Sequence, residues 1–139
     1  MIRISTLTLA SMLAALGSAT AATHPSSIEV KLDPQHGSKI SGRATITHVS
    51  EHPLVADVVI VLDGVFIPEN RYPAGIYVGT CARMSAEPVY RLKPVVGGRS
   101  KTRVAEGTPP PGPYVLAVFD TAAKQALWCG ALTHEGGKD

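Results

Sequence analysis

Short alternating segments separated by turn residues constrain the fold of this chain more than any other feature. Val30 and Leu32 alternate with Glu29 and Lys31, the period-two pattern of a strand with one buried face. Similar segments fall at residues 28–32, 40–49, 54–64, 75–80, 89–96, 100–105, 114–120 and 126–132. No segment has a sustained helical stripe. The sequence therefore predicts an all-β fold, an antiparallel Greek-key sandwich or barrel of seven to eight strands.

One segment has the composition of a central strand. In "LVADVVIVLDG", residues 54–64, both parities are apolar apart from Asp57, and β-branched residues dominate. Such a run suits a strand with neighbours on both sides better than a helix. By contrast, 121–127 is too short for a helical stripe and predicts a turn, and the proline-rich "GTPPPGP" predicts a stiff exposed connection.

The beginning of the chain has the features of a secretory signal. Arg3 supplies a positive start, 4–16 form a short apolar core, and 19–21 offer an A-x-A cleavage site. The core is shorter than the roughly 20 residues that span a bilayer. We therefore expect a periplasmic or secreted product that does not span a membrane. The expected divisions are a signal peptide at 1–21, a flexible leader at 22–27, one β-sandwich domain at 28–133 and a polar tail at 134–139.

The charge balance argues against one class of partner. The chain has 13 Lys and Arg against 11 Asp and Glu, and loss of Arg3 with the signal would leave it close to neutral. General nucleic-acid binders normally show a strongly basic balance. We therefore expect no nucleic-acid partner.

Two cysteines, Cys81 and Cys129, are present. Exported proteins mature in an oxidising compartment, where paired cysteines normally form a disulfide. A bond between these two residues is therefore the default expectation.

The segment "RLKPVVGGRSKTRV" allows two hairpin registers. A two-residue turn at Gly97 and Gly98 would pair Val96 with Arg99 and mix apolar and cationic side chains on one face. A three-residue loop that includes Arg99 would turn the apolar side chains inward. We therefore predict the three-residue loop. It would place four cations on the outer face, as an anion-binding patch or as an ordinary solvated sheet edge. They are Arg91, Lys93, Lys101 and Arg103.

Two histidines, His48 and His52, flank Glu51 where a strand runs into a turn. A protein metal site needs three or four convergent ligands, and this segment supplies two. We interpret both as solvated turn histidines and predict no metal site in the folded domain.

Five segments give the chain a family resemblance. They are "SGRATIT", "YPAGIYVGTC", "YRLKPVVGGRSKTRV", "PYVLAVFD" and "WCGAL", and in this order they span most of residues 28–132. Together they resemble the secreted relatives of copper–zinc superoxide dismutase, including small bacterial members and the nearby chordin-type domains. The resemblance implies a β-sandwich with a disulfide from the metal loop, at Cys81, to the last strand, at Cys129.

The same resemblance implies that the metal ligands have been lost. In such relatives the loop is roughly H-P-A-H-I-H-E-G-T-C and the late strand ends in histidine. Those histidines fall on Tyr72, Gly75, Tyr77 and Phe119, and the loop acid falls on Val78. None of these side chains can replace a neutral imidazole at copper, and a tyrosine hydroxyl ionises only near pH 10 unless strongly perturbed. We expect no cofactor and no dismutase activity.

Two other features allow a functional and a structural interpretation. Tyr72, Tyr77 and Phe119 could form an apolar binding patch in place of the metal site, or could be ordinary packing residues. Cleavage after residue 21 would leave Ala22, Thr23 and His24 at the start of the mature chain. Their amine, amides and imidazole could surround Cu(II) or Ni(II), but a loose terminus with a chance histidine is the preferred interpretation.

These observations favour an exported, non-catalytic binding or envelope-associated module of the dismutase-like family, lacking the copper–zinc site. The expected partner is an anionic envelope component or another protein. The alternative is a metal-binding protein or superoxide dismutase with rearranged ligands.

Overall fold

The computed structural model describes residues 26–51, 54–106 and 110–132. The predicted all-β fold is confirmed, because each predicted segment overlaps one strand. The strands are β1 (Ser27–Pro34), β2 (Gly42–Glu51), β3 (Leu54–Leu62), β4 (Tyr72–Val78), β5 (Tyr90–Val95), β6 (Arg99–Glu106), β7 (Tyr114–Phe119) and β8 (Ala126–Ala131). The described ranges contain no helix that could cross a membrane. The predicted signal peptide, most of the leader and the polar tail lie outside these ranges.

The eight strands form one antiparallel sheet that is curled into a nearly closed barrel. Its order is β5-β4-β7-β8-β1-β2-β3-β6. As predicted, β3 is central, since it pairs with β2 on one side and with β6 on the other. The barrel has two halves, β5-β4-β7-β8 and β1-β2-β3-β6. β1 joins them, because residues 27–32 pair with β2 whereas Asp33 and Pro34 pair with β8.

The crossing of β1 over β8 depends on Gly130. A side chain at this position would collide with the carbonyl oxygen of Lys31 and with the side chain of Val30. Glycine therefore permits the close approach that lets β1 leave one half of the barrel for the other.

β5 and β6 stand at the two ends of the strand order and meet along a seam. Two side-chain hydroxyls connect them. The Lys93 amide donates to Thr102 Oγ1 at 2.8 Å, and Ser100 Oγ donates to the Lys93 carbonyl at 2.7 Å. Both hydroxyl residues are buried. The seam therefore closes the barrel through polar side chains on β6 that point inward.

The three-residue loop predicted between β5 and β6 is wrong. Val96 and Arg99 exchange backbone hydrogen bonds of 3.0 and 3.1 Å around Gly97 and Gly98. These glycines have φ of 60° and 80°, which a tight two-residue hairpin requires and other residues adopt at a cost.

A bulge in β5 explains why the argument from parity failed. β4 advances two residues from Tyr72 to Ala74, while the partner in β5 changes by three, from Val95 to Leu92. The extra residue leaves Lys93 and its successor both exposed. The outward direction of the cations is therefore preserved although the turn is one residue shorter than predicted.

The core lies between the inner faces of the two halves, and aromatic rings fill one end of it. Trp128 is 2% exposed, and its indole Nε1 donates to the Ile40 carbonyl at 2.7 Å. Its ring centroid lies 5.6 Å from that of Tyr72 and 6.1 Å from that of Phe66, both in edge-to-face geometry. We call the region of Phe66, Tyr72 and Trp128 the packed end.

Candidate functional site

Three of the four positions assigned to lost metal ligands lie on the outer face of the β5-β4-β7-β8 half. Gly75 and Tyr77 have the opposite parity in β4 to the core residues Ala74 and Ile76. Phe119, at the end of β7, meets Tyr77 with ring centroids 5.5 Å apart and an interplanar angle of 61°. These three positions are therefore neighbours, with two aromatic rings packed edge to face.

The Tyr77 ring lies against Gly75. A Cβ atom placed on Gly75 would lie 3.0 Å from Cε2 of Tyr77 and 3.1 Å from Cβ of Pro88. A histidine at Gly75 would therefore require the Tyr77 ring or the Pro88 region to move. Glycine and tyrosine here form a matched pair that fills the surface.

Tyr72, the fourth position, does not join this group. It belongs to the packed end, where its ring centroid lies 5.7 Å from that of Phe66. The proposed patch of Tyr72, Tyr77 and Phe119 is therefore not formed as one cluster. The alternation of side chains in β4 could have predicted this separation, since residue 72 lies on the same inward-facing side of the strand as residue 76.

The donor set at this surface does not fit a copper centre. Gly75 and Phe119 have no metal-binding atoms in their side chains, and Val78 stands where the resemblance places an acid. Burial raises the pKa of the Tyr77 hydroxyl above its ordinary value, with the negative charge of Glu87 adding to this and Arg91 opposing it. A phenolate ligand is therefore disfavoured further. Nowhere in the three described ranges do three His, Cys, Asp or Glu side chains converge as metal ligands would.

The connection between β4 and β5, residues 79–89, is tied to the barrel by the predicted disulfide. Cys81 and Cys129 are bonded, with their Cα atoms 5.9 Å apart, so the predicted pairing is confirmed. The connection also folds back on β4. Ser85 N donates to the Val78 carbonyl at 2.8 Å, and Val89 N donates to the Ile76 carbonyl at 2.7 Å. It therefore forms a fixed wall beside the two aromatic rings.

This wall produces a second, smaller apolar cluster outside the main core. Val115, Ala117 and Cys129 are buried there, and Tyr77 and Phe119 pack partly over them. An open depression of about 480 Å³ lies between the rings and the connection. We call it the aromatic groove; the residues that matter here are Tyr77, Met84, Pro88, Arg91 and Phe119.

Sequence reasoning found the two rings but missed Met84 and Pro88. Both lie in an irregular connection where no periodicity marks the inward side. The only sequence signal was Cys81, since a disulfide in this connection had to hold it against the barrel.

The four cations of the predicted patch are all exposed along the seam, but two of them are ion-paired. Arg103 holds Asp57 of β3 with nitrogen–oxygen distances of 2.8 and 3.0 Å. Arg91 reaches Glu87 at 3.2 Å. The bond from Arg103 holds the pKa of the Asp57 carboxyl below its usual range. Ion pairs therefore neutralise two of the four positive charges of the patch, and within the described residues the charges of Lys93 and Lys101 are not neutralised in this way.

His48 lies in a different kind of structure from the one predicted. His48 lies within β2 and is half-buried, so its interpretation as a solvated turn residue is wrong. The strand continues past it with a shift in register between His48 and Ser50. His52 and the N-terminal candidates Ala22, Thr23 and His24 lie outside the described residues.

Comparison with protein-family models, curated proteins and solved structures found no match to this chain. Its relation to the dismutase-like family is therefore a hypothesis based on the sequence segments. The aromatic groove is the best-defined surface feature at the positions that this hypothesis singles out.

Proposed function

We propose that this chain is an exported, non-catalytic member of the dismutase-like superfamily that binds a protein partner through the aromatic groove. The observation that carries the proposal is the pairing of Tyr77 with Phe119, at 5.5 Å, on the surface where the family resemblance expects histidines. Aromatic rings there supply apolar contact area and no redox chemistry.

The fold supports the family part of this proposal. An antiparallel barrel of eight strands agrees with what the resemblance implies, as does a disulfide from the connection after β4 to the last strand. Many unrelated functions share such folds, so the functional part depends on the groove itself.

The groove has the composition of a protein-binding surface. Aromatic residues, methionine and arginine are enriched at protein interfaces, and the groove combines Tyr77, Phe119, Met84 and Arg91. Its wall is held by a disulfide, so little conformational freedom is lost when a partner binds. A partner segment that inserts an apolar side chain between the rings and Pro88 fits this arrangement.

The seam supports an anionic partner less well. Asp57 and Glu87 already neutralise two of its four cations. The two remaining lysines suit a sheet edge that is protected against pairing with other chains. The protein partner is therefore the preferred proposal.

A peptide-display selection on the mature protein tests the groove. Selected peptides should bind the Phe119→Ser variant at least about tenfold more weakly, a loss of roughly 1.4 kcal/mol. Val59→Ser is the matched control, because Val59 is also half-buried and lies on the outer face of the other half. Equal binding by wild type and Phe119→Ser would overturn the proposal.

Metal analysis of the exported protein tests the alternative of rearranged ligands. We expect no stoichiometric copper and no dismutation above that of free copper. Tightly held copper with such activity would replace the binding module by a metalloenzyme.

A further inference from the structure

A second cavity lies inside the barrel, at the end opposite the packed end. It has a volume of about 130 Å³. Ile46, Val58 and Ile76 form its deep part and are 5%, 1% and 6% exposed, whereas Tyr114 and Leu132 at its mouth are half-buried. We call it the end cavity.

The cavity borders an inward-facing row of the β1-β2-β3-β6 half whose central residue is small. His48, Ala56 and Val104 form this row across three strands, and the carbonyl of Ser26, just before β1, accepts a hydrogen bond from the His48 amide at 2.9 Å. Ala56 contributes only a methyl group at the centre of the row. The side chains therefore leave a space that larger residues fill elsewhere in the core.

The end cavity is open to the exterior because β1 diverges from β8. Pairing between β1 and β8 is confined to Asp33 and Pro34, at the packed end. Toward Ile28 the two strands are no longer paired, and Ile28 and Leu132 border the cavity. The gap between β1 and β8 gives the cavity access to the exterior.

We propose that the end cavity binds one small apolar molecule, with the size and character of a single aromatic ring. Its deep wall consists of aliphatic side chains and the buried ring of Tyr90, and the imidazole of His48 lies at the side. Engineered apolar cavities of about 150 Å³ remain dry and take up benzene. The volume and lining of the end cavity match that ligand class.

The segments that directly adjoin its two borders are poor candidates to fill it. The sequences next to the two borders are "AATHP" before Ser26 and "THEGGKD" after Leu132. Neither contains a large aliphatic or aromatic hydrocarbon side chain. An external ligand suits the apolar wall better.

Titration of the full mature protein with benzene, followed by methyl NMR, tests the proposal. We expect saturable shifts centred on Ile46, Val58 and Ile76. Ala56→Leu should fill the cavity and weaken binding at least about tenfold. If that variant does not fold, Ala56→Val provides the same test with one smaller step.

Phe119→Ser is the matched control for the site, because Phe119 lies in the aromatic groove on the outer face. It should bind benzene as wild type does, so the two proposals can fail independently. Absence of saturable shifts, shifts centred on Tyr77, or unchanged binding by the folded Ala56 variants would overturn the proposal. So would nuclear Overhauser effects between residues 133–139 and Ile46, because the chain would then fill its own cavity.

Discussion

The two ends of the barrel differ in how the same strands fill the space between them. At the packed end, Trp128 is buried among Phe66 and Tyr72 and donates to the Ile40 carbonyl. At the other end, Ala56 occupies a central inward position and a cavity of about 130 Å³ remains. The contrast shows that closure of the barrel and completion of its core are coupled.

β1 connects closure to packing. Where β1 pairs with β8, at Asp33 and Pro34, the two halves are held together and large rings fill the interior. Toward Ile28, where β1 pairs with β2 and not with β8, the end cavity lies beside the small side chain of Ala56. The path of β1 therefore distinguishes the packed end from the end that contains the cavity.

Removing the indole should have the largest effect, because it breaks the packed end. Trp128→Ala should lower the free energy of unfolding by about 3–5 kcal/mol, through lost burial and the space left behind. Denaturant unfolding of both proteins measures this. Trp128→Phe is the control that retains a ring but loses the bond to Ile40, and should cost less. A loss below about 1 kcal/mol for Trp128→Ala would contradict the prediction that the packed end contributes strongly to the free energy of unfolding.

Loss of the disulfide should have the next largest effect, because it frees the connection that forms the wall of the aromatic groove. Cys81 and Cys129 are 48 residues apart, and a cross-link of this span stabilises by about 4 kcal/mol in the chain-entropy model. We expect the Cys81→Ala, Cys129→Ala double variant to be less stable by about 2–4 kcal/mol, measured by denaturant unfolding.

Reduced wild-type protein is the control, because it loses the bond but retains both sulfur atoms. Mass measurement without reduction should show the protein two hydrogens lighter than its thiol form. Unchanged stability on reduction would contradict the prediction.

Substitutions at two inward-facing alanines compare directly how tightly the core is packed in two regions. Ala44 is fully buried in a complete row beside Ile60, whereas Ala56 borders the end cavity. Ala44→Leu should destabilise by about 1–3 kcal/mol through overpacking, while Ala56→Leu should cost less than about 0.5 kcal/mol or stabilise. Thermal or denaturant unfolding of the pair measures the difference. Equal losses would mean that the two ends are packed alike.

The ion pair between Asp57 and Arg103 should have the smallest effect. It lies on the outer surface near the end cavity, and Arg103 lowers the pKa of the Asp57 carboxyl. A carboxyl with a lowered folded pKa stabilises above its unfolded pKa of about 3.9, and that contribution is lost as pH falls through the folded pKa.

The stability difference between wild type and Asp57→Asn should therefore narrow between about pH 7 and about pH 3. Denaturant unfolding at both pH values measures it. Salt at about 1 M should also narrow the difference at neutral pH, because exposed charges are then screened. A difference that is constant with pH would show that the pair contributes through packing alone.

The strands could be predicted because each one has a buried face. In β3, inward Ala56, Val58 and Ile60 alternate with outward residues, and even the single acid, Asp57, marks the outer side. The disulfide was also predictable, since a chain with two cysteines leaves one intramolecular pairing. Local pattern was sufficient wherever the ladder is regular.

Irregular positions could not be predicted in the same way. The bulge at Lys93 changes parity within β5, so an argument that assumed a continuous ladder chose the wrong turn. Met84 and Pro88 reach the groove through a connection with no period. The end cavity depends on where the pairing of β1 with β8 ends. This is a long-range property that cannot be predicted from any single segment of the sequence.

Three consecutive residues near the end of the chain each have a separate part in assembling the barrel. Trp128 fills the packed end, Cys129 holds the connection after β4, and Gly130 allows β1 to cross. During synthesis β1 is among the first strands to be made, yet its second partner is the last. Because long-range pairings of this kind form late and slowly, the barrel cannot close until β8 has been made.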